Sequence, residues 1–210
     1  EVEKLQKIIP NDIVGFDDIS GLVRTYNSTL WHGHHEKSKL VIEASHIFIN
    51  GYKNNTRFII AELEDLAKSG VQGYSNSVRA WLTGPNHGVD CDEKKEALTQ
   101  MFENSQVALV YGSAGTGKST LINQIAHFFA DKKKLFLAQT NPAIDNLKRR
   151  VTASNCTFST ITKFIKGRSV ITDYDLLIID ECSTVNNGDM RDILTKSTYK
   201  LLVLVGDSYQ

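Results

Sequence analysis

Two clusters of residues in this sequence have the types and spacing that phosphate chemistry needs. The first is Gly112-Ser113-Ala114-Gly115-Thr116-Gly117-Lys118-Ser119, a G-x-x-x-x-G-K-[ST] phosphate loop. Its glycines let successive backbone N–H groups turn inward as an anion-binding nest. A helix after the loop adds free N–H groups and the positive end of its dipole. Lys118 is expected to reach the β- and γ-phosphates and Ser119 to give Mg²⁺ a hydroxyl ligand, with Thr120 completing the nucleotide-binding set. The second cluster is Asp180-Glu181, directly after Leu176-Leu177-Ile178-Ile179. Asp180 is placed to bind Mg²⁺ directly or through water, and Glu181 to accept a proton from water attacking the γ-phosphate. Gln210 is an uncharged donor that could sense the γ-phosphate or hold that water. Together these residues imply a bound nucleoside triphosphate.

Elements of the right kind surround both clusters. Val107 to Tyr111 is an apolar β-type run ahead of the loop, and Leu121 to Phe129 an amphipathic helical run after it, the order a phosphate loop requires. Lys134 to Gln139 reads as a second buried strand, and Asn141-Pro142 starts a helix where proline is best tolerated. Thr157-Phe158 is a brief extended piece, and Thr160 begins a short turn toward Phe164. Four consecutive aliphatics at 176–179 predict a strand buried on both faces, as in a parallel sheet, and Leu201 to Val205 predicts another. Ligands gather at the carboxyl ends of such strands, where the acids stand.

Upstream, Thr83-Gly84-Pro85-Asn86-His87-Gly88 is dense in turn formers and marks a domain boundary, 1–88 against 89–210. Asp90-Cys91-Asp92-Glu93 fits a capping box with an aspartate N-cap, opening a helix toward Phe102. Apolar residues at 3-4 spacing predict helices over 17–31, 36–52, 55–68 and 75–82, a small bundle without a catalytic signature. Trp31-His32-Gly33-His34-His35 lacks carboxylate or cysteine ligands at useful spacing, so a polar loop is favoured over a metal site.

At 210 residues and 41% hydrophobic the chain can bury a sizeable core, and no apolar run approaches a membrane span. It opens at Glu1 without a signal peptide and is expected to be a processed or excised piece. Three scattered cysteines (Cys91, Cys156, Cys182) fit free thiols in a reducing cytoplasm. Net charge is zero, but residues 132–168 hold nine Lys/Arg against one acid, Asp145. A local surplus of this size is a candidate footprint for a polyanion.

The quoted residues resemble, in order, five motifs of superfamily 1 helicases, with the RecD-like branch nearest. Gly112 to Ser119 resembles motif I, Thr140 to Leu147 motif Ia, Ser159 to Phe164 motif Ib, Asp180 to Ser183 motif II, and Gly206 to Gln210 the G-D-x-x-Q of motif III. The resemblance covers residues 90–210. It implies an α/β, RecA-like P-loop NTPase domain with a parallel sheet, preceded by a small α-helical region. The strand leading to motif III would lie between the phosphate-loop strand and the motif II strand. It further implies ATP with Mg²⁺, and a single strand of nucleic acid, DNA ahead of RNA, touching Thr140, Asn141 and Thr160. The basic surplus falls on that same stretch of sequence.

Two departures accompany the resemblance. Lys94 stands where the family's adenine-reading glutamine is expected, so base selectivity is in question. Motifs IV to VI, with the arginines that complete the ATP site, are not among these 210 residues. Missing arginine fingers cost about 10³–10⁵ in turnover at related sites. By itself this stretch is therefore expected to bind ATP–Mg²⁺, bind single strands weakly, hydrolyse poorly and unwind nothing. The alternative is a non-helicase P-loop ATPase acting as a nucleotide-switched module, with residues 1–88 recruiting a protein.

Overall fold

The computed structural model describes residues 18–44, 46–85, 87–113, 115–167 and 173–207. Ala114, Arg168 and Ser208-Tyr209-Gln210 lie outside them, so the part expected of Gln210 does too. The chain divides into two units, 1–58 and 59–210.

In the first unit, helix α1 (Ile19–Thr29) starts where Asp18 accepts the Gly21 N–H at 2.6 Å, an N-cap. Helix α2 (His32–Ser38) takes up the His-rich stretch, which is therefore helical rather than a loop. The helix expected over 36–52 is replaced by an antiparallel hairpin of β1 (Leu40–Glu43) and β2 (His46–Ile49). Asn27 holds β1 to α1 by accepting the Leu40 N–H at 2.8 Å and donating to its carbonyl at 2.9 Å. Glu43 is paired with Lys53 and Arg57 on helix α3 (Asn50–Ala67), which starts five residues earlier than the sequence pattern indicated.

The second unit contains α4 (Tyr74–Leu82), α5 (Asp92–Gln100), β3 (Val107–Tyr111), α6 (Lys118–Phe128), β4 (Lys134–Ala138), α7 (Asn141–Arg150), β5 (Cys156–Thr160), α8 (Ile161–Lys166), β6 (Leu176–Ile179), α9 (Asn187–Lys196) and β7 (Leu201–Gly206). The strands form one parallel sheet in the order β3-β7-β6-β4-β5. β7 thus lies between the phosphate-loop strand and the Asp180 strand, as the resemblance implied. Both faces of β4, β6 and β7 are covered, which is why these strands read as unbroken aliphatic runs, whereas the edge strand β3 exposes Leu109 and Tyr111. Phe136, Ala138, Ile178, Val203 and Val205 share one cluster with Ile122 and Ile125 of α6 and Ile144 and Leu147 of α7. Leu135, Leu137, Leu177, Ile179 and Leu202 are as deeply buried with the alternate register.

The turn-rich stretch 83–88 lies within this second unit. Tyr74 of α4 donates to the Leu98 carbonyl at 2.8 Å, and Ser75 to that of Thr99 at 2.9 Å, tying α4 to α5. Tyr74 also meets Phe102 and Phe128 edge to face. The capping box at Asp90 does not form: Cys91 is the N-cap of α5 and makes no side-chain cap bond, while Asp90 pairs with Lys94 at 2.7 Å. Lys134 is fully buried, its Nζ donating to the carbonyls of Phe129 at 2.6 Å and Lys132 at 2.8 Å. Among the described residues no helix is long and apolar enough to cross a membrane, and Cys91, Cys156 and Cys182 are free thiols.

Candidate nucleotide site

The loop between β3 and α6 is shaped by its glycines. Gly115 and Gly117 have φ of +84° and +88°, values that side-chain-bearing residues rarely adopt. Gly117 is the N-cap of α6, so Lys118, Ser119 and Thr120 form its first turn, where backbone N–H groups lack helical acceptors. Thr116 donates to the Ser113 carbonyl at 2.9 Å and braces the bend. The Lys118 ammonium turns back on the loop, donating to the carbonyls of Gly112 and Ser113, the latter at 2.9 Å. It is held inside the ring of backbone that a phosphate would share.

Asp180 and Glu181 follow β6, one strand removed from β3 across the sheet. The Asp180 N–H continues the ladder to the Leu137 carbonyl at 2.8 Å, which fixes where its side chain emerges. Its carboxylate accepts the Glu181 N–H at 3.0 Å. Burial pushes the Asp180 carboxyl above the ordinary aspartate range, and Glu181 adds to this. The Glu181 N–H and the cations Lys118 and Arg150 pull it back. The ammonium of the loop and the carboxylate of β6 are thus close enough to feel each other. Glu181 itself has φ +52°, a left-handed conformation unusual for glutamate, and is exposed. Residues at such backbone positions concentrate at functional sites.

Thr140 and Thr160 occupy the same carboxyl edge, after β4 and at the end of β5. Each is an N-cap: the Thr140 hydroxyl accepts the Ala143 N–H and the Thr160 hydroxyl the Lys163 N–H, both at 3.3 Å. Asn141 is the exposed first residue of α7. This capping role was not read from the sequence, although Thr140-Asn141-Pro142 carries its usual signature.

The basic surplus does not gather on this edge. Lys132 and Lys133 precede β4 and stand at the opposite edge, and Lys134 is buried. Lys148 and Arg149 end α7 after it has crossed back toward the start of β5, while Arg150 turns back along the helix, its Nε donating to Asn146 Oδ1 at 3.1 Å, and its charge is felt at Asp180. Lys132 pairs with Asp131 at 2.9 Å and Lys148 with Asp145 at 3.5 Å. Among the described members of the surplus, only Lys163 and Lys166 of α8 follow directly from the edge that holds Thr160. Closeness in sequence was mistaken for closeness in space.

A five-stranded parallel sheet flanked by helices, with a glycine-rich loop after β3 and an acid pair after the strand two places away, is a RecA-like P-loop NTPase fold. Residues 91–210, more than half of the chain, match the family described as an AAA domain, and the chain belongs to that family. P-loop NTPases of this kind bind and hydrolyse nucleotides, generally ATP with Mg²⁺. No curated protein gives a significant match.

Proposed function

We propose that the chain is the ATP-binding motor domain of a superfamily 1 helicase or translocase, RecD-like, in which hydrolysis is coupled to a nucleic-acid single strand in the cytoplasm. ATP with Mg²⁺ fits the donor set: loop amides, the Lys118 ammonium, the hydroxyls of Ser119 and Thr120, and an Asp180 carboxylate within electrostatic reach of Lys118. Mg²⁺, held by Ser119 and Asp180, would neutralise charge on the phosphates. Lys118 would leave the loop carbonyls for phosphate oxygens, and Glu181 would accept a proton from the attacking water.

One observation carries the coupling. The loop after β3, the acids after β6, Thr140 after β4 and Thr160 at the end of β5 share one sheet edge, so a strand lying on the two threonines would adjoin the nucleotide. ATP hydrolysis measured with and without single-stranded DNA and RNA, in a protein that also supplies motifs IV to VI, tests this. Stimulation by either supports the motor, and a rate indifferent to both sinks it. The exposed Leu22, Tyr26, Trp31 and Ile42 of the first unit favour a second reading, a nucleotide-switched module with a protein partner. A rate that ignored nucleic acid but followed a protein bound to that unit would select it.

A further inference from the structure

Lys94 is a cation that the site as described does not use. It lies in the first turn of α5, its Nζ 2.7 Å from Asp90 Oδ1 and its side chain 22% exposed. Its Cε and Nζ are also 3.7 Å from the point where a Cβ on Gly117 would stand. The ammonium therefore rests against the backbone at the start of α6, beside the nest rather than within it.

The segment carrying Asp90 and Lys94 is fixed in place by the phosphate-loop helix. Gln124 of α6 is 3% exposed and donates to the Gly88 carbonyl at 2.9 Å, and Val89 is buried beside it. Gly117 and Gln124 lie two turns apart on one rigid element. The bond to Gly88 thus sets where the segment carrying Asp90 and Lys94 begins relative to the loop.

We propose that Lys94 is a second triphosphate-binding cation, which exchanges Asp90 for a phosphate oxygen when a magnesium nucleotide binds. This rests on reading Gly112–Thr120 as the nucleotide site. The Asp90 carboxylate is 67% exposed, so its pair with Lys94 is weak and readily given up. A bond from ammonium to phosphate is charge-assisted and stronger. Lys94 lies against the loop at Gly117 and Lys118 against it at Ser113, so one polyanion on the loop can meet both cations. An ammonium has three donors and no acceptor, so it cannot match the paired donor and acceptor on adenine. Selection at this position follows phosphate charge and not the base.

The test is calorimetric titration of Mg–ATP, Mg–GTP and Mg–ADP into the wild-type chain and the variants Lys94→Ala and Asp90→Asn. Lys94→Ala is expected to weaken ATP and GTP alike, by about tenfold, the scale of one hydrogen bond to a charged group. ADP, with less charge, should lose less. Asp90→Asn frees the ammonium and should tighten ATP, a gain that misfolding cannot imitate. An unchanged ATP affinity in Lys94→Ala overturns the proposal, as does a loss confined to ATP, which would assign Lys94 to the base. So does a weakened Asp90→Asn variant. If the wild-type chain binds none of the three, the nucleotide-site reading falls and takes the proposal with it. Wild-type binding with an indifferent Lys94→Ala removes the proposal alone.

Discussion

Lys118 and Glu181 divide the expected chemistry between holding the nucleotide and turning it over. Lys118→Ala removes the one ammonium inside the loop and should weaken Mg–ATP beyond calorimetric detection. Glu181→Gln keeps the shape and the left-handed turn but loses the proton acceptor. It should leave ATP affinity within severalfold and, where motifs IV to VI are also supplied, lower phosphate release by about 10²–10⁴. Equal losses of binding and turnover would assign Glu181 to positioning instead. Asp175 makes a separate, structural prediction. Its carboxylate accepts from Lys200 at 2.8 Å and from the Lys133 N–H at 3.0 Å, and these hold its pKa below the ordinary 3.8. Ionised Asp175 therefore stabilises the fold above the ordinary carboxylate range, and the contribution disappears as pH falls through the lowered value. Asp175→Asn should cost about 1–2 kcal/mol at neutral pH. In urea melts its difference from wild type should shrink in acid. Loop and acid pair were readable in the sequence because residue type and spacing are themselves the chemistry. Lys94 was noticed only as a departure, since its approach to Gly117 depends on how α5 packs.

The elements show where periodicity misleads. Leu40, Val41, Ala44, Ile47 and Phe48 satisfy a 3-4 spacing, but Leu40-Val41-Ile42 and Ile47-Phe48-Ile49 are equally two apolar runs rich in β-branched residues (Val41, Ile42, Ile47, Ile49) around a short turn. The hairpin prevails because Ala44 adopts φ +47° and Glu43 faces His46 across the register, with Asn27 holding β1 to α1. Nothing about an alanine advertises a left-handed turn. In the second unit the aliphatic runs were unambiguous, and their strands appeared where expected. The two threonines at the sheet edge have a dual character that substitution can separate. Thr140→Ala removes the α7 cap and should lower stability by about 1 kcal/mol, whereas Thr140→Ser should restore it. If Thr140 also touches a nucleic-acid strand, Thr140→Asp, which still caps, should keep stability and lose single-strand binding through repulsion from phosphate. Thermal melts and fluorescence anisotropy separate the two effects.

For the molecule as a whole, the parallel sheet decides which charges can cooperate. Every crossover helix begins at the edge bearing the loop and returns to the other, so neighbours along the chain are separated by the length of a strand. A charge count over residues 132–168 mixes both edges and includes a lysine with no exposed surface. Lys163→Glu with Lys166→Glu should weaken single-strand binding by at least about tenfold at low salt and flatten its salt dependence. Lys148→Glu with Arg149→Glu should do little. The reverse outcome would move the strand to the far end of α7.

Lys134 turns this architecture into a clock. An amine with no face to water cannot meet an acylating reagent until the chain around β4 and the end of α6 comes apart. The rate at which mass spectrometry finds that single lysine labelled is then a count of openings in native buffer, with surface lysines, labelled at once, as the reference. Any ligand that steadies the sheet should slow the ticking, even one whose binding releases no heat.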